Sequence, residues 1–151
     1  MQMYTLTNTL HLPISREEAW AFLANPAQLE NITSDDLSFR VLDPLPGAMY
    51  EGMLARYQIQ PFSFIRLNWV AEIVHLKEGF RFIDEQRFGP FRFWRHEHRL
   101  VEKENGIEMQ DTVHYVMPFS FIGRIAHRLF IRNMLEAIFT KRNEEIQAMF
   151  E

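Results

Sequence analysis

The chain has 151 residues, enough for one domain that buries roughly two-thirds of its unfolded surface. A net charge of −4 gives no general pull toward nucleic acid or anionic membrane, and the absence of cysteine excludes disulfides, thiolate metal centres and cysteine nucleophiles. Fourteen phenylalanines and three tryptophans must either fill a thick core or line a pocket for an apolar guest.

The opening residues MQMYTLTNTL lack a basic stretch followed by an apolar run, so no secretory signal is read there. No window reaches the roughly 18 uninterrupted apolar residues of a spanning helix, and a cytoplasmic protein without stable membrane insertion is expected. Residues 3–12 alternate and are rich in Thr and Leu, which predicts a strand. Ser15 with Glu18 forms a capping box, and Ala19, Trp20, Phe22 and Leu23 give a short amphipathic helix. Asn25-Pro26 ends it and starts a second short helix anchored by Leu29 and Ile32, followed by a solvated acidic pair, Asp35-Asp36.

From about residue 36, six extended segments succeed one another, each closed by Pro, Gly or Asn-Gly. Lys77-Glu78-Gly79 and Glu104-Asn105-Gly106 are tight-turn signals within this antiparallel meander. After Pro118 the pattern turns helical: Ile122, Ile125, Ala126 and Leu129, then Leu135, Ile138, Phe139, Ile146 and Met149. The apolar arc of the first half moves to the opposite side near residues 131–134, so the helix bends there or begins as a separate piece. Arg124, His127, Arg128 and Arg132 mark the polar arc of that first half, read as a solvated face or as a contact for an anionic surface or partner.

The order of elements, with the runs FIDEQRFGPFRFWRHEHRL (82–100), DTVHYVMPFSFIG (111–123) and LFIRNMLEAIFTKRNEEI (129–146), resembles the START/birch-pollen-allergen (SRPBCC) superfamily. It is most similar to small bacterial ligand-binding SRPBCC proteins and to the like domain fused to some sugar-nucleotide-epimerase-like proteins. The resemblance implies one α+β domain over 1–151 with the helix-grip fold: a seven-stranded curved antiparallel sheet around a long C-terminal helix, with two short helices between strands 1 and 2. It implies a cavity under that helix for a lipid-, polyketide- or aromatic-like molecule; some members are cyclases or dehydratases.

Strand alternation then assigns faces. Trp94, His96, His98 and Leu100 share one side of their strand, and Phe93, Arg95, Glu97 and Arg99 the other; three long charges favour water for the second set, so the imidazoles point inward. The neighbouring strands turn Phe80, Phe82, Asp84, Gln86 and Phe88 inward on one side, and Ile107, Met109, Asp111, Val113, Tyr115 and Met117 on the other. Arg81, Ile83, Glu85 and Arg87 are left to the water side. An interior cluster of Asp84, Gln86, His96, His98, Asp111 and Tyr115 is expected, flanked by Trp69, Phe82, Trp94 and Tyr57. His11, His75, His114 and His127 have no partner visible in sequence and are read as surface or edge residues.

Four readings of the cluster stand open. Its members satisfy one another and stiffen the sheet; or they hold the polar end of a ligand whose body rests on the aromatics. In a catalytic reading, His96 or His98 is a general base oriented by Asp111, with Tyr115 polarising a carbonyl. Finally, His-x-His with a carboxylate is an acceptable ligand set for zinc or iron, although the spacing is common by chance. Ligand binding without a cofactor or metal is the reading adopted, with a small apolar molecule as partner, no nucleic acid, and a homodimer left open.

Overall fold

The computed structural model describes residues 1–28 and 39–150. The second short helix with its anchors Leu29 and Ile32, the Asp35-Asp36 pair and the first residues of the expected second strand lie outside the described residues.

Strand β1 (Met3–Leu12) leads into helix α1 (Arg16–Leu23). Ser15 caps it as the sequence requires: its Oγ accepts from the Glu18 amide at 3.1 Å. Asn25 Oδ1 then accepts from the Ala27 amide at 3.1 Å, the cap expected for the next turn. The meander follows as β2 (Arg40–Val41), β3 (Leu54–Phe62), β4 (Ile65–Lys77), β5 (Arg81–Phe88), β6 (Phe93–Lys103) and β7 (Gly106–Val116). All pair antiparallel in the order β1-β7-β6-β5-β4-β3-β2, so the first strand docks against the last. The expected second strand is shorter than its alternating sequence suggests, two residues among those described.

The chain closes with α2 (Ser120–Ala126), a π-helical turn (His127–Ile131) and α3 (Arg132–Phe150). The break expected near residues 131–134 lies slightly earlier, at this π-turn, which inserts an extra residue and resets the helical phase. Beyond it, Leu135, Phe139 and Ile146 face the sheet. Leu135 and Phe139 pack on Trp94, Val113 and Tyr115, while Ile146 joins Leu10, Leu12, Phe22, Leu100 and Ile107 at the α1 end.

Before the turn the rotation is the reverse of what the apolar spacing suggests. Ile122, Ile125 and Leu129 point outward, and the inward positions belong to Gly123 and His127. The cause is local. A side chain at Gly123 would place its Cβ 1.9 Å from the Pro118 carbonyl oxygen, so only glycine permits this close approach. His127 is anchored on the sheet, as described below.

On β6 the faces divide as alternation requires: Trp94, His96, His98 and Leu100 are buried, whereas Arg95 and Glu97 are partly exposed and Phe93 and Arg99 exposed. In β7 the inward set Ile107 to Tyr115 is buried throughout. Strand β5 departs at three positions. Phe80 and Phe88, at its ends, are exposed, and Ile83 is fully buried on the convex side, where it sits in register between His75 of β4 and Glu97 of β6.

Candidate functional site

Between α3 and the β3–β6 part of the sheet lies a cavity of about 470 Å³. Its wall is aromatic and aliphatic, with Tyr57, Trp69, Phe82, Phe91, Trp94 and Phe139 among the lining residues. Asp84, His96, His98 and Arg142 supply the charged and imidazole groups of the lining. Trp69 and Trp94 meet edge to face at 5.1 Å, and Tyr57 stands opposite Trp69 in the β3–β4 register. Tyr57 and Trp69, expected to flank the cluster, therefore fall on the cavity wall.

The polar groups form a ladder across four strands. In register, Asp84 faces His96, His98 faces Asp111, and Asp111 faces Asn8 of β1. The short hydrogen bonds run on the diagonals: His96 Nε2 to Asp111 Oδ1 at 2.7 Å and His98 Nε2 to Asp84 Oδ2 at 2.7 Å. The two imidazoles stack at 3.6 Å, and Phe82 stacks on His98 at 4.1 Å. Asp111 lies behind the rings rather than on the wall. It accepts from Arg142 Nη1 at 3.2 Å and from Asn8 Nδ2 at 3.2 Å, and Asn8 in turn exchanges amide hydrogen bonds with Asn143 at 3.0 and 2.8 Å.

These neighbours set the ionisation states. Burial alone would raise Asp111, but the Arg142 guanidinium and the bond from His96 outweigh it and hold the carboxyl well below the usual range. Asp84 has no such cation in contact; burial pushes it up to about 6, against the pull of His96. His98 is pushed down to about 3, first by burial, and His96 is lowered by burial and by its neighbour His98. Both rings are therefore neutral near pH 7. His96 donates through Nε2 to Asp111, and His98 donates through Nε2 to ionised Asp84. That tautomer leaves His98 Nδ1 buried without a hydrogen bond, 3.5 Å from Asp111 Oδ1.

Two members of the expected cluster are elsewhere. Gln86 pins the β5–β6 turn, donating to the Phe91 carbonyl at 2.6 Å and accepting from its amide at 3.1 Å. Tyr115 is buried in register with Trp94, but its hydroxyl bonds His127 Nε2 at 2.7 Å rather than either histidine of the pair. His127 also stacks on Tyr4 at 3.5 Å, so its expected place at the surface is corrected: it is buried. Tyr115→Phe is expected to leave the His127 ring nitrogen unpaired and to lower stability by about 1–2 kcal/mol in urea unfolding.

No family model and no curated protein sequence matches the chain. Solved structures do. A protein from Chromobacterium violaceum superimposes with a TM-score of 0.73 over 97% of both chains at 13% identity. A protein from Thermus thermophilus gives 0.68 over 99% of this chain and 100% of its own at 14% identity. Norcoclaurine synthase from Thalictrum flavum, a point mutant in complex with a transition-state analogue, gives 0.69 over 99% and 98% at 10% identity. Ara h 8.0201 also matches, at 0.62 and 11% identity over 97% and 99%.

The chain has the helix-grip fold of these solved structures.

Within this helix-grip frame, sequence reasoning missed Arg142, Asn8 and Asn143. Arg142 carried a readable signal: Leu135, Phe139, Arg142 and Ile146 are spaced as one inward helical stripe, which places a cation at a core position. For a metal, Asp84, His96 and His98 offer ligand atoms within 4.8 Å of one another, the only such trio among the described residues. An ion there would have to displace the 2.7 Å contact already made between His98 and Asp84.

Proposed function

We propose that the protein binds a small, largely apolar molecule in the cavity, its body against the aromatic wall and an oxygen-bearing end at Asp84 and the two histidines. One observation carries this reading: about 470 Å³ of mostly apolar space with its few polar groups gathered at one place, the usual composition of a ligand site. Lipid-, polyketide- and aromatic-like molecules fit that description, and the cytoplasm is the compartment proposed for it. Asp84 presents a carboxylate oxygen as acceptor, or a hydroxyl donor once protonated, and so serves either a donor or an acceptor on the guest. Asp111, Gln86 and Tyr115 act from behind the wall, holding His96, the β5–β6 turn and the helix entrance in place.

Binding is expected to be read from quenching of Trp69 and Trp94 by an apolar fluorescent probe such as anilinonaphthalene sulfonate. Ile138→Trp, which fills the cavity from α3, should weaken the probe by about ten-fold or more while the protein stays folded. Unchanged affinity in that variant, with the indoles still quenched, would place the probe outside the cavity and sink the reading. Native mass spectrometry of protein purified from its own host would identify a retained guest.

A second reading, acid–base catalysis of the cyclase or dehydratase kind, is favoured by Asp84. A carboxyl pushed up to about 6 beside open apolar space can exchange a proton near neutrality, whereas burial lowers both imidazoles. Tyr115 takes no part in it, because its hydroxyl is spent on His127.

A further inference from the structure

The rotation of α2 leaves an apolar surface that nothing among the described residues covers. Phe119 is 78% exposed, Phe121 59%, Ile122 60%, Ile125 53%, Leu129 57% and Phe130 59%. Single exposed apolar side chains are ordinary; six within twelve residues of one segment form a patch of the kind that marks an interaction site. Its geometry is imposed rather than loose. Phe119 and Ser120 both take left-handed backbone angles, φ 63° and 50°, which non-glycine residues rarely adopt, and the turn they make lifts the Phe119 ring into solvent.

The charge of the patch is one-sided. From residue 112 to residue 135 the sequence has no Asp or Glu, although the whole chain carries −4. Arg124 and Arg128 are exposed among the apolar side chains and have no carboxylate partner among the described residues, while Arg132 pairs with Glu136 at 3.2 Å. A short helix with exposed Phe, Ile and Leu interleaved with arginine is the composition of a segment that lies in the headgroup region of an anionic bilayer. A second copy of the chain fits less well. Symmetric pairing through this patch would bring Arg124 and Arg128 toward their own counterparts.

The patch also shares one end of the sheet with part of the cavity wall. Register places Met3, Phe93 and Val116 side by side at one end of the sheet, the end from which α2 departs. The β3–β4 turn lies at that same end and carries Phe62 and Phe64, stacked at 6.0 Å, with Phe64 82% exposed. Phe62, Ile65 and Ile131 belong both to this end and to the cavity wall.

We propose that the outward face of α2 and the π-turn docks on an anionic lipid bilayer, setting the cavity mouth against the membrane so that a bilayer-resident apolar molecule enters without crossing water. The entry step rests on the cavity reading above; the docking does not.

The test is sedimentation of the full chain with vesicles of phosphatidylcholine alone and of phosphatidylcholine mixed with phosphatidylglycerol, at low and raised salt. Binding is expected to the mixed vesicles, to weaken with salt, and to fall about ten-fold or more on phosphatidylcholine alone. Phe119→Ser with Phe130→Ser, and separately Arg124→Glu with Arg128→Glu, should each lower it by a similar factor, with the melting temperature and anilinonaphthalene sulfonate binding unchanged. Absence of vesicle binding, or binding that neither pair of substitutions alters, overturns the proposal. So does a dimer in sedimentation equilibrium that the Phe119 and Phe130 substitutions dissociate, since the patch then belongs to a second copy. Probe uptake that persists while vesicle binding fails sinks docking alone; vesicle binding without probe uptake sinks the cavity reading alone.

Discussion

Replacing Arg142 by Met is expected to destabilise the protein by about 3–5 kcal/mol, on the order of 10 °C in melting temperature for a chain of this size. The side chain is only 13% exposed, and its guanidinium is the cation in contact with Asp111, itself 4% exposed. Met fills similar volume against Phe139, so the loss reports charge rather than packing. Without Arg142, Asp111 keeps hydrogen bonds from His96 and Asn8, but both donors are neutral and neither compensates a buried negative charge. Burial then pushes the carboxyl up, toward a protonated form that carries no charge to compensate. Asp111→Asn in the Arg142→Met background removes the uncompensated charge and should recover at least half of the lost stability. A double-mutant cycle in urea measures it. If the single and double variants are equally destabilised, the arginine acts by packing and the electrostatic account fails.

That arginine also shows where the sequence was legible and where it was not. The seven strands, their antiparallel meander and the inward turn of His96 and His98 followed from period-2 alternation and turn residues, because one face of the sheet is buried and a one-residue slip would expose it; the docking of β1 against β7 did not. The pairing of Asp84 and Asp111 with the two imidazoles was legible at the level of neighbouring strands. Which carboxylate takes which ring was not, since the bonds cross diagonally and depend on where each side chain leans. Gln86 and Tyr115 face inward as read, but lie further along their strands than the histidine pair, and nearer partners claim them. The helix was misread where a single contact outweighs periodicity. Apolar spacing predicts which face of α2 is buried only if burial decides its rotation; here the close approach at Gly123 and the His127–Tyr115 bond decide it. A glycine and a histidine four apart, on the side of the helix away from Ile122, Ile125 and Leu129, were the available sign.

The same ionisable cluster makes the stability of the protein depend on pH, and Asp84→Asn separates its parts. Both histidines have lowered values in the folded state, His98 down to about 3 from 6.5, so the unfolded chain binds protons that the folded chain refuses. Stability is therefore lost as pH falls below about 6.5, and it continues to be lost toward pH 3. Asp84 acts in the opposite sense. Its folded value of about 6 lies above the ordinary 3.8, so the folded chain takes up its proton first, and acidification between these values returns stability that ionised Asp84 withholds above pH 6. The gap amounts to about 3 kcal/mol at about 1.4 kcal/mol per unit. Once protonated, Asp84 donates to His98 Nε2, the ring proton moves to Nδ1, and the otherwise unpaired Nδ1 gains Asp111 as its acceptor. Two histidines lose while one carboxyl gains, so acid destabilises the native protein overall. An asparagine at position 84 keeps the shape and can donate to His98, but has no charge to desolvate. In urea unfolding the Asn variant should exceed the native protein by about 1–3 kcal/mol near pH 8, and the difference should close by about pH 4, making the acid limb of the variant steeper. An Asn variant less stable than the native protein at every pH would show that ionised Asp84 stabilises the fold, and the carboxyl would then be no proton donor or acceptor near neutrality.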